Sequence, residues 1–504
     1  MLESKKILVL GGEEISLADF VEAVKKPVCL QWDPKALDRA GRSRTLLEKR
    51  LQEQKRIYGV NTGFGEEGSR ALPNEALQSL QQELITYHRA GTGEYLTEEE
   101  SRAVLLSRIL TLAQGYSGVR VEVVDRLIHL YQEGVVPQIP SLGSVGASGD
   151  LTPCSYVAAL ICGQGKAYWK GQEIRAKELH RKFHLEPLVL EAKEGLSLLN
   201  GTSVMTALAV LAWEGLGRIA RWTIEGLAWG AEALQWKEEF FHPRSQELKG
   251  HAGAGEVSTE LLRRAFLDPQ PVGEDSWMEG RNVQPRYSYR CAPQVIGAFR
   301  DTLKWTGEWL KKELNGVDDN PLCDPENNRL YHCGNFSGFY VSLACDALRN
   351  TLALLSNLWD RQAQLLLDPL QNKGLGPNLV EWNPLLPKFG LKAVGIALTS
   401  LGAELHMLAS PVACLSRPTE SGNQDIVSFG TQSARRLREA EGIAWLALAH
   451  FLLVSGTALK RRLTAIGRPI PPRLEKYVSM VETSEDLGQG LEKLTSEIKK
   501  RFPA

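Results

Sequence analysis

The sequence predicts a mainly α-helical protein, built from an elongated helical bundle and a smaller N-terminal α-rich domain. Through residues 74–135, apolar residues recur three or four positions apart, which is the period of an amphipathic helix. The same pattern dominates from about residue 190 to the end of the chain. It is interrupted by loops at 242–256, 267–290, 315–338, 366–391 and 415–424. Long helices separated by loops are typical of a bundle.

The N-terminal domain is predicted to contain a short strand, several helices and one β-hairpin. The first strand is followed, up to about residue 60, by helical segments rich in Leu, Lys and Glu. Residues 58–65 contain three glycines and therefore predict a loop. The stretch 166–174 alternates around Gly171, which predicts the hairpin. We place this domain at residues 1–190 and the bundle at 191–504.

Composition excludes several classes of partner. The chain has 59 Lys and Arg against 60 Asp and Glu, so it lacks the positive charge that nucleic acids or anionic membranes attract. Its eight cysteines are scattered without a Cys-x-x-Cys pair, which indicates a reducing compartment and no structural zinc site. The N-terminal apolar run is too short for a signal peptide. We expect a cytoplasmic protein.

An apolar stretch at 442–459, followed by Lys460-Arg-Arg, imitates a membrane span with a basic flank. It contains polar residues such as His450 and Ser455, and the sequence offers no second span. A helix buried on all sides of a bundle explains the pattern better.

The most unusual stretch of the sequence is a glycine-rich loop at residues 143–153, Gly-Ser-Val-Gly-Ala-Ser-Gly-Asp-Leu-Thr-Pro. A phosphate-binding loop would require Lys-Ser/Thr after the last glycine, and a serine nucleophile elbow would require Gly-x-Ser-x-Gly. Neither pattern is present. A tight surface turn is the usual structure of such a stretch.

Ala147-Ser148-Gly149 in this loop resembles the self-processing triad of the aromatic amino acid ammonia-lyases and aminomutases. Other stretches match the same family in the same order, over about residues 58–437. They are Tyr-Gly-Val-Asn-Thr-Gly-Phe-Gly from Tyr58, Gly-Leu-Ser-Leu-Leu-Asn-Gly-Thr ending at Thr202, Gln-Pro-Arg-Tyr-Ser-Tyr-Arg from Gln284, Asn-Gly-Val-Asp-Asp-Asn-Pro-Leu from Asn315, Gly-Asn-Phe-Ser-Gly from Gly334, and Asn-Gln-Asp from Asn423. The resemblance implies that the triad cyclises and loses water to give a methylidene-imidazolone, an electrophilic group, without a metal or an added coenzyme.

The resemblance also implies a role for each site residue. Tyr58 is the base that removes a β-hydrogen, and Tyr287 assists the amine chemistry beside the prosthetic group. Asn200 hydrogen-bonds the oxygen of its ring, and Arg290 binds the substrate carboxylate through its planar fork. The substrate-binding residues implied are Tyr87, His88, Asn200, Gln284, Arg290, Phe336, Glu420 and Asn423.

A tyrosine base must lose its proton. Lowering a phenol pKa from about 10 to about 7 requires roughly 4 kcal/mol of stabilisation from the surroundings. Helix N-termini that point into the pocket are one source of this stabilisation.

Tyr87 and His88 occupy the positions that act as a selectivity switch in the family. A buried hydrogen-bonding side chain disfavours a substrate that leaves it unpaired, so His88 favours a phenol or imidazole ring. The spacing of Glu420 to Asn423-Gln-Asp resembles the phenylalanine-type enzymes, and Ser337 replaces a His of the histidine lyases. Pro285 also stands where the family has Asp. We rank tyrosine first, histidine second and phenylalanine third.

Several alternatives stay open. The same residues serve a 2,3-aminomutase, which re-adds ammonia at the β-carbon, and a degenerate scaffold would keep only the fold. Taken singly, Tyr58 would be a packing or turn residue and Arg290 a surface residue. His180 and His184, spaced like a metal pair, lack a third ligand and are predicted to lie on a surface helix face. The resemblance implies a homotetramer whose active sites are each assembled from three chains.

Overall fold

The computed structural model describes residues 6–265, 284–381, 383–385 and 388–500, and most of these residues are helical. This confirms the predicted fold class. The α-helices are α1 (Leu17–Lys25), α2 (Pro34–Gln52), α3 (Leu77–His88), α4 (Glu98–Leu112), α5 (Val121–Gln132), α6 (Leu151–Ile161), α7 (Ala176–Lys182), α8 (Glu194–Leu199), α9 (Ser203–Ala233), α10 (Pro243–Lys249), α11 (Ala252–Ala265), α12 (Tyr287–Arg290), α13 (Ala292–Asn315), α14 (Phe339–Leu367), α15 (Lys392–Leu408), α16 (Gly430–Ala465), α17 (Pro472–Glu482) and α18 (Leu487–Lys500). Short 3-10 helices occupy Gly65–Ser69, Asn74–Ala76, Glu238–Phe241, Pro377–Leu379, Ala413–Leu415 and Glu420–Gly422.

The strands are short and form four small sheets among the described residues. They are β1 (Ile7–Leu10), β2 (Cys29–Trp32), β3 (Thr92–Tyr95), β4 (Val135–Pro137), β5 (Pro140–Leu142), β6 (Lys166–Trp169), β7 (Gln172–Arg175), β8 (Leu322–Asp324) and β9 (Arg329–Tyr331). Strands β1 and β2 are parallel, while β3–β5, β4–β6–β7 and β8–β9 are antiparallel. The predicted hairpin is β6–β7, whose turn uses Lys170 and Gly171 at φ 53° and 74°.

The chain divides into two compact units, each made of discontinuous segments. The first comprises Met1–Glu214, Gly307–Asp346 and Pro411–Arg438, and the second comprises Gly215–Thr306, Ala347–Ser410 and Glu439–Ala504. The expected domain division at about residue 190 stays a prediction.

In the first unit, the loop that carries Ala147-Ser148-Gly149 runs from β5 to the first residue of α6. Strand β5 pairs with β3, and α6 packs against α3 and α8. These neighbours fix both ends of the loop. Helix α8 contributes the fully buried apolar residues Leu198 and Leu199 to the core of this unit.

Buried tryptophans organise the core of the second unit. The indole of Trp359 donates to the Thr223 hydroxyl at 3.1 Å, and the indole of Trp222 donates to the Ile498 carbonyl at 3.1 Å. Both rings are completely buried. Because a buried indole N–H needs an acceptor, these bonds fix α9 against α14 and α18 in one arrangement.

Two described helices, α9 and α16, are long and apolar enough to cross a membrane by length and composition. However, 78% and 72% of their most apolar windows are buried inside the protein. Such burial is typical of core helices. The prediction that 442–459 is a core helix agrees with the position of this stretch within α16. The expectation that the sequence offers no second candidate span is wrong, because α9 is also long and apolar enough to be one.

Candidate active site

A cavity of about 730 Å³ opens in the first unit beside the glycine-rich loop. Ten of the residues predicted for the site line it, and they come from six different stretches of the chain. They are Tyr58, Tyr87, His88, Ala147, Ser148, Gly149, Asn200, Phe336, Glu420 and Asn423. Residues up to 365 positions apart in the sequence therefore meet at one place.

The Ala147-Ser148-Gly149 turn is clamped against residues 200 and 201. The side-chain amide of Asn200 donates to the Ser148 carbonyl at 2.9 Å, and the Gly201 N–H approaches the same oxygen at 3.4 Å. In return, the Asp150 N–H donates to the Gly201 carbonyl at 2.7 Å. A Cβ atom on Gly149, whose φ is 74°, would lie 1.9 Å from that carbonyl oxygen. Only glycine fits at position 149.

Asp150 anchors the end of this turn. Its buried carboxylate accepts the N–H groups of Val204 and Met205, at 3.0 and 2.8 Å, in the first turn of α9. It also accepts the hydroxyls of Ser144 and Thr431. Burial raises the pKa of Asp150 to about 6, while these hydrogen bonds favour the ionised form. The carboxylate thus joins the loop to the N-termini of α9 and α16.

A buried ion pair supports the backbone beneath Asn200. The guanidinium of Arg108 donates to the Asn200 carbonyl at 2.6 Å and pairs with Asp318. Asp318 in turn accepts the Thr202 N–H at 2.6 Å. The buried Oδ1 of Asn200 has no hydrogen-bond partner among the described residues. The site fits the prosthetic group that the resemblance implies. Residues 147–149 are small, the Asn200 amide donates to the Ser148 carbonyl, and the Asn200 Oδ1 is left to accept a further hydrogen bond.

Tyr58 lies in the cavity in a loop between α2 and α3, as predicted from its glycines. Its phenol oxygen accepts the Gly65 N–H at 2.8 Å, and its own N–H donates to Nε2 of His332 at 3.2 Å. Burial raises the pKa of the Tyr58 phenol above 10, the Gly65 N–H lowers it, and the Glu420 carboxylate raises it again. Within one chain, the groups around Tyr58 therefore favour the neutral phenol.

Tyr87 and His88 lie in the last turn of α3 and line the cavity together, with ring centroids 4.3 Å apart. Burial lowers the pKa of His88 to about 4 and raises that of the Tyr87 phenol. At neutral pH both side chains are therefore uncharged hydrogen-bonding groups.

Acidic side chains give the cavity a negative charge. Glu420 accepts the Glu66 N–H at 3.3 Å and the Asn423 amide at 3.4 Å, and Asp425 also lines the wall. A Cβ atom on Gly65 would collide with the Glu420 carboxylate, so this glycine permits the contact. None of the described lining residues is Lys or Arg. The cavity can therefore hold an ammonium group but offers no cation for a carboxylate.

Gln284, Tyr287 and Arg290 belong to the second unit and do not line this cavity. The Arg290 guanidinium donates to Oε1 of Gln284 and lies 4.8 Å from the ring centroid of Tyr287. The side chain of Tyr287 is 72% exposed. The Arg290 guanidinium therefore contacts both the Gln284 amide and the ring of the exposed Tyr287.

The cavity also contains residues that the sequence argument did not assign to it. They are Phe64, Gly65, Leu84, Leu196, Asn320, His332, Cys333, Gln424, Asp425 and Ile426, together with further positions of the glycine-rich loop. In the sequence, nothing indicated that His332 and Cys333 belong to the site except that two chemically active side chains are adjacent. Asp425 was visible only as part of the Asn-Gln-Asp motif.

The described residues contain no group of three His, Cys, Asp or Glu side chains placed to hold a metal ion. The expectation that His180 lies on a surface helix face is wrong. Its ring is buried, and Nε2 lies 2.8 Å from the Leu160 carbonyl, so this histidine joins α7 to α6.

The comparisons with known proteins agree on one family. The model of the family described as aromatic amino acid lyase matches residues 15–482. A histidine ammonia-lyase of Myxococcus xanthus is 34% identical over 464 residues, which cover 91% of this chain and 89% of that protein. A tyrosine 2,3-aminomutase of Chondromyces crocatus is 34% identical over 450 residues, covering 86% and 85%. The solved structure of the phenylalanine aminomutase of Pantoea agglomerans matches with a TM-score of 0.91 and 30% identity, covering 98% of both chains. Because the family model matches residues 15–482 and relatives at 34% identity cover most of this chain, the chain belongs to the aromatic amino acid lyase family.

Proposed function

We propose that this protein is an ammonia-lyase that removes ammonia from an aromatic L-amino acid and leaves an arylacrylate. The observation that carries the proposal is the meeting of Ala147-Ser148-Gly149 with Tyr58 and Asn200 in one cavity. Membership of a family of ammonia-lyases and aminomutases supports the reaction class.

Each residue of the cavity has a distinct task in this reaction. Residues 147–149 would hold the methylidene-imidazolone, which would supply an electrophile that makes the substrate amine a leaving group. Asn200 holds the Ser148 carbonyl, and Glu420 faces the cavity with a charge suited to the substrate ammonium. Tyr58 accepts the β-proton on its phenol oxygen. Since burial raises the pKa of Tyr58, the assembled site must add positive potential to stabilise the phenolate.

We propose that this positive potential comes from a second copy of the chain in a homotetramer. The described lining residues include Glu420 and Asp425 but no Lys or Arg, whereas the substrate carboxylate needs a cation. Arg290, held beside Gln284 and the exposed Tyr287, would enter the cavity of a neighbouring subunit. Large exposed apolar side chains, among them Tyr340 at 60%, Met407 at 62% and Ile426 at 65%, support association between copies. The eight cysteines are scattered along the sequence without a Cys-x-x-Cys pair, which fits a reducing compartment such as the cytoplasm.

For the substrate we propose a ring that carries a hydrogen-bonding group, imidazole or phenol. His88 and Tyr87 are uncharged polar groups on the cavity wall and would be left unpaired by a plain phenyl ring. Histidine ammonia-lyases predominate among the relatives, which do not support the ranking of tyrosine first. Histidine is therefore the first substrate to assay.

The test uses the purified full-length chain with histidine, tyrosine and phenylalanine in separate reactions. We expect ammonia release together with ultraviolet absorbance of the matching arylacrylate. Intact mass should be lower than the sequence mass by two water molecules. A chain of unmodified mass that releases no ammonia from any of the three amino acids would support the degenerate scaffold instead.

A 2,3-aminomutase is the second candidate, because a tyrosine 2,3-aminomutase and the solved structure of a phenylalanine aminomutase are similar over most of the chain. It would use the same residues and retain the arylacrylate until ammonia re-adds at the β-carbon. Chromatography of the same reactions distinguishes the two activities. A β-amino acid that forms before free arylacrylate accumulates identifies the aminomutase.

Replacing His88 by Leu should shift selectivity toward phenylalanine. The change removes a polar group that a phenyl ring leaves unpaired and adds apolar surface. We expect the ratio of kcat/KM for phenylalanine to that for histidine or tyrosine to rise by about 10- to 100-fold. Gln82→Leu, on the same helix but outside the cavity lining, is the matched control. An unchanged ratio in His88→Leu would show that His88 does not face the substrate ring.

A further inference from the structure

His332 bonds to the main chain of Tyr58, although 274 residues separate the two in sequence. Its Nε2 accepts the Tyr58 N–H at 3.2 Å, and both residues line the cavity. An imidazole nitrogen accepts a hydrogen bond only when it carries no proton, so this bond requires the neutral ring with its proton on Nδ1. Burial, reinforced by the charge of Lys193, lowers the pKa of His332, which favours that neutral form.

The rest of the Tyr58 loop is held from the other side. The Gly59 N–H donates to the Thr62 hydroxyl at 3.0 Å, and the buried amide of Gln81 donates to the Gly59 carbonyl at 3.2 Å. Gln81 also accepts the Leu196 N–H at 3.0 Å and so connects the loop to α8, the helix that directly precedes Asn200. None of these three contacts involves Tyr58 itself, whereas His332 accepts the N–H of the residue that carries the reacting phenol.

His332 itself is attached to a rigid part of the first unit. The next residue, Cys333, donates its N–H to Oδ1 of Asn320 at 2.7 Å. The residue before Asn320 is Asp319, whose carboxylate pairs with Lys193 at 2.7 Å, and both of these side chains are fully buried. Lys193 directly precedes α8. The imidazole and Asn200 are therefore fixed to the same buried ion pair.

We propose that His332 is a positioning residue for the reaction, which holds the main chain of Tyr58 so that the phenol faces the substrate beside Ala147-Ser148-Gly149. This inference rests on the proposed function and extends it to a residue outside the family motifs considered above. The phenol oxygen of Tyr58 already accepts a hydrogen bond from Gly65. A second hydrogen bond, from the Tyr58 N–H to His332, therefore restricts the Tyr58 side chain to one orientation.

The test compares His332→Ala with His332→Gln in the full-length chain. Alanine removes the acceptor, whereas the amide oxygen of glutamine reaches about as far as Nε2 and can accept the same N–H. In His332→Ala we expect kcat to fall about 10-fold, because the free energy of one lost hydrogen bond corresponds to about that change in rate. KM should change less than about twofold. His332→Gln should restore most of kcat. Intact mass should show full processing in both variants.

Hydrogen exchange of the Tyr58 amide, read by mass spectrometry, tests the contact without any turnover. Exchange should be faster in His332→Ala and return toward the original rate in His332→Gln. His184→Asn, a histidine change outside the cavity lining, should alter neither quantity.

Full kcat with unchanged amide exchange in His332→Ala would overturn the proposal, and so would equal losses of kcat in both variants. If the unmodified sequence is neither processed nor active, the proposed function has failed. The exchange measurement then still decides whether His332 holds Tyr58.

Discussion

Tyr58→Phe is expected to stop turnover while the chain still folds and processes its triad. The change removes one oxygen, the only group of that side chain able to accept a proton from carbon. A positioned general base contributes about 10²- to 10⁴-fold to rate, so kcat should fall by that factor. The lost hydrogen bond from the Gly65 N–H costs about 1 kcal/mol of folding stability, too little to unfold the chain.

Intact mass and circular dichroism of Tyr58→Phe should match those of the unmodified sequence. Tyr95→Phe makes the same chemical change at a residue that is 49% exposed and does not line the cavity, and it should keep full activity. If Tyr58→Phe kept a tenth or more of the original kcat, another group would have to be the base.

Activity of the unmodified enzyme should rise with pH toward the alkaline range. Burial raises the pKa of Tyr58, so the reactive phenolate is the minor form at neutral pH and becomes more abundant as pH rises. The raised pKa of Tyr58 is opposite to the lowered pKa that a tyrosine base needs if it is to be ionised at pH 7. Burial and the Glu420 carboxylate, which raise the pKa of Tyr58, are present in a single chain. The cations that would lower this pKa belong to the neighbouring subunits of the proposed homotetramer.

The parts of the fold that depend on local sequence were predictable. Gly171 marks a turn that needs positive φ, and the alternation around it predicts the β6–β7 hairpin. The glycines at 58–65 and 143–149 predict loops, because each loop requires conformations or close approaches that a side chain would block. Helical periodicity predicts α3–α5 and the long helices of the second half.

Features that depend on distant partners could not be predicted in this way. Strand β2 exists because it pairs in parallel with β1 across α1, and its four residues alone show no strand pattern. The role of His332 depends on a bond to a residue 274 positions away, and that of Arg108 on a buried carboxylate 210 positions away. Ten of the residues that motif order named line one cavity. Motif order could not predict which side chains contact one another, as the contacts of Arg290 with Gln284 and Tyr287 show.

Ser148→Ala is expected to have the largest effect of any single substitution. Cyclisation joins the Gly149 nitrogen to the Ala147 carbonyl, and the methylidene carbon arises only when the Ser148 hydroxyl leaves as water. Alanine has no such leaving group, so the electrophile cannot form. The loss of activity should therefore exceed that of Tyr58→Phe. Intact mass should retain at least the water that the serine hydroxyl would have released.

The fold should survive this change, because the hydrogen bonds from Asn200 and Gly201 reach the backbone carbonyl of Ser148 rather than its hydroxyl. We expect the free energy of unfolding to change by less than about 0.5 kcal/mol. Ser141→Ala, in the neighbouring strand β5, removes an equal hydroxyl outside the triad and should leave mass loss and rate unchanged. A Ser148→Ala chain that still lost two waters, or that kept the original rate, would show that residues 147–149 are not the source of the electrophile.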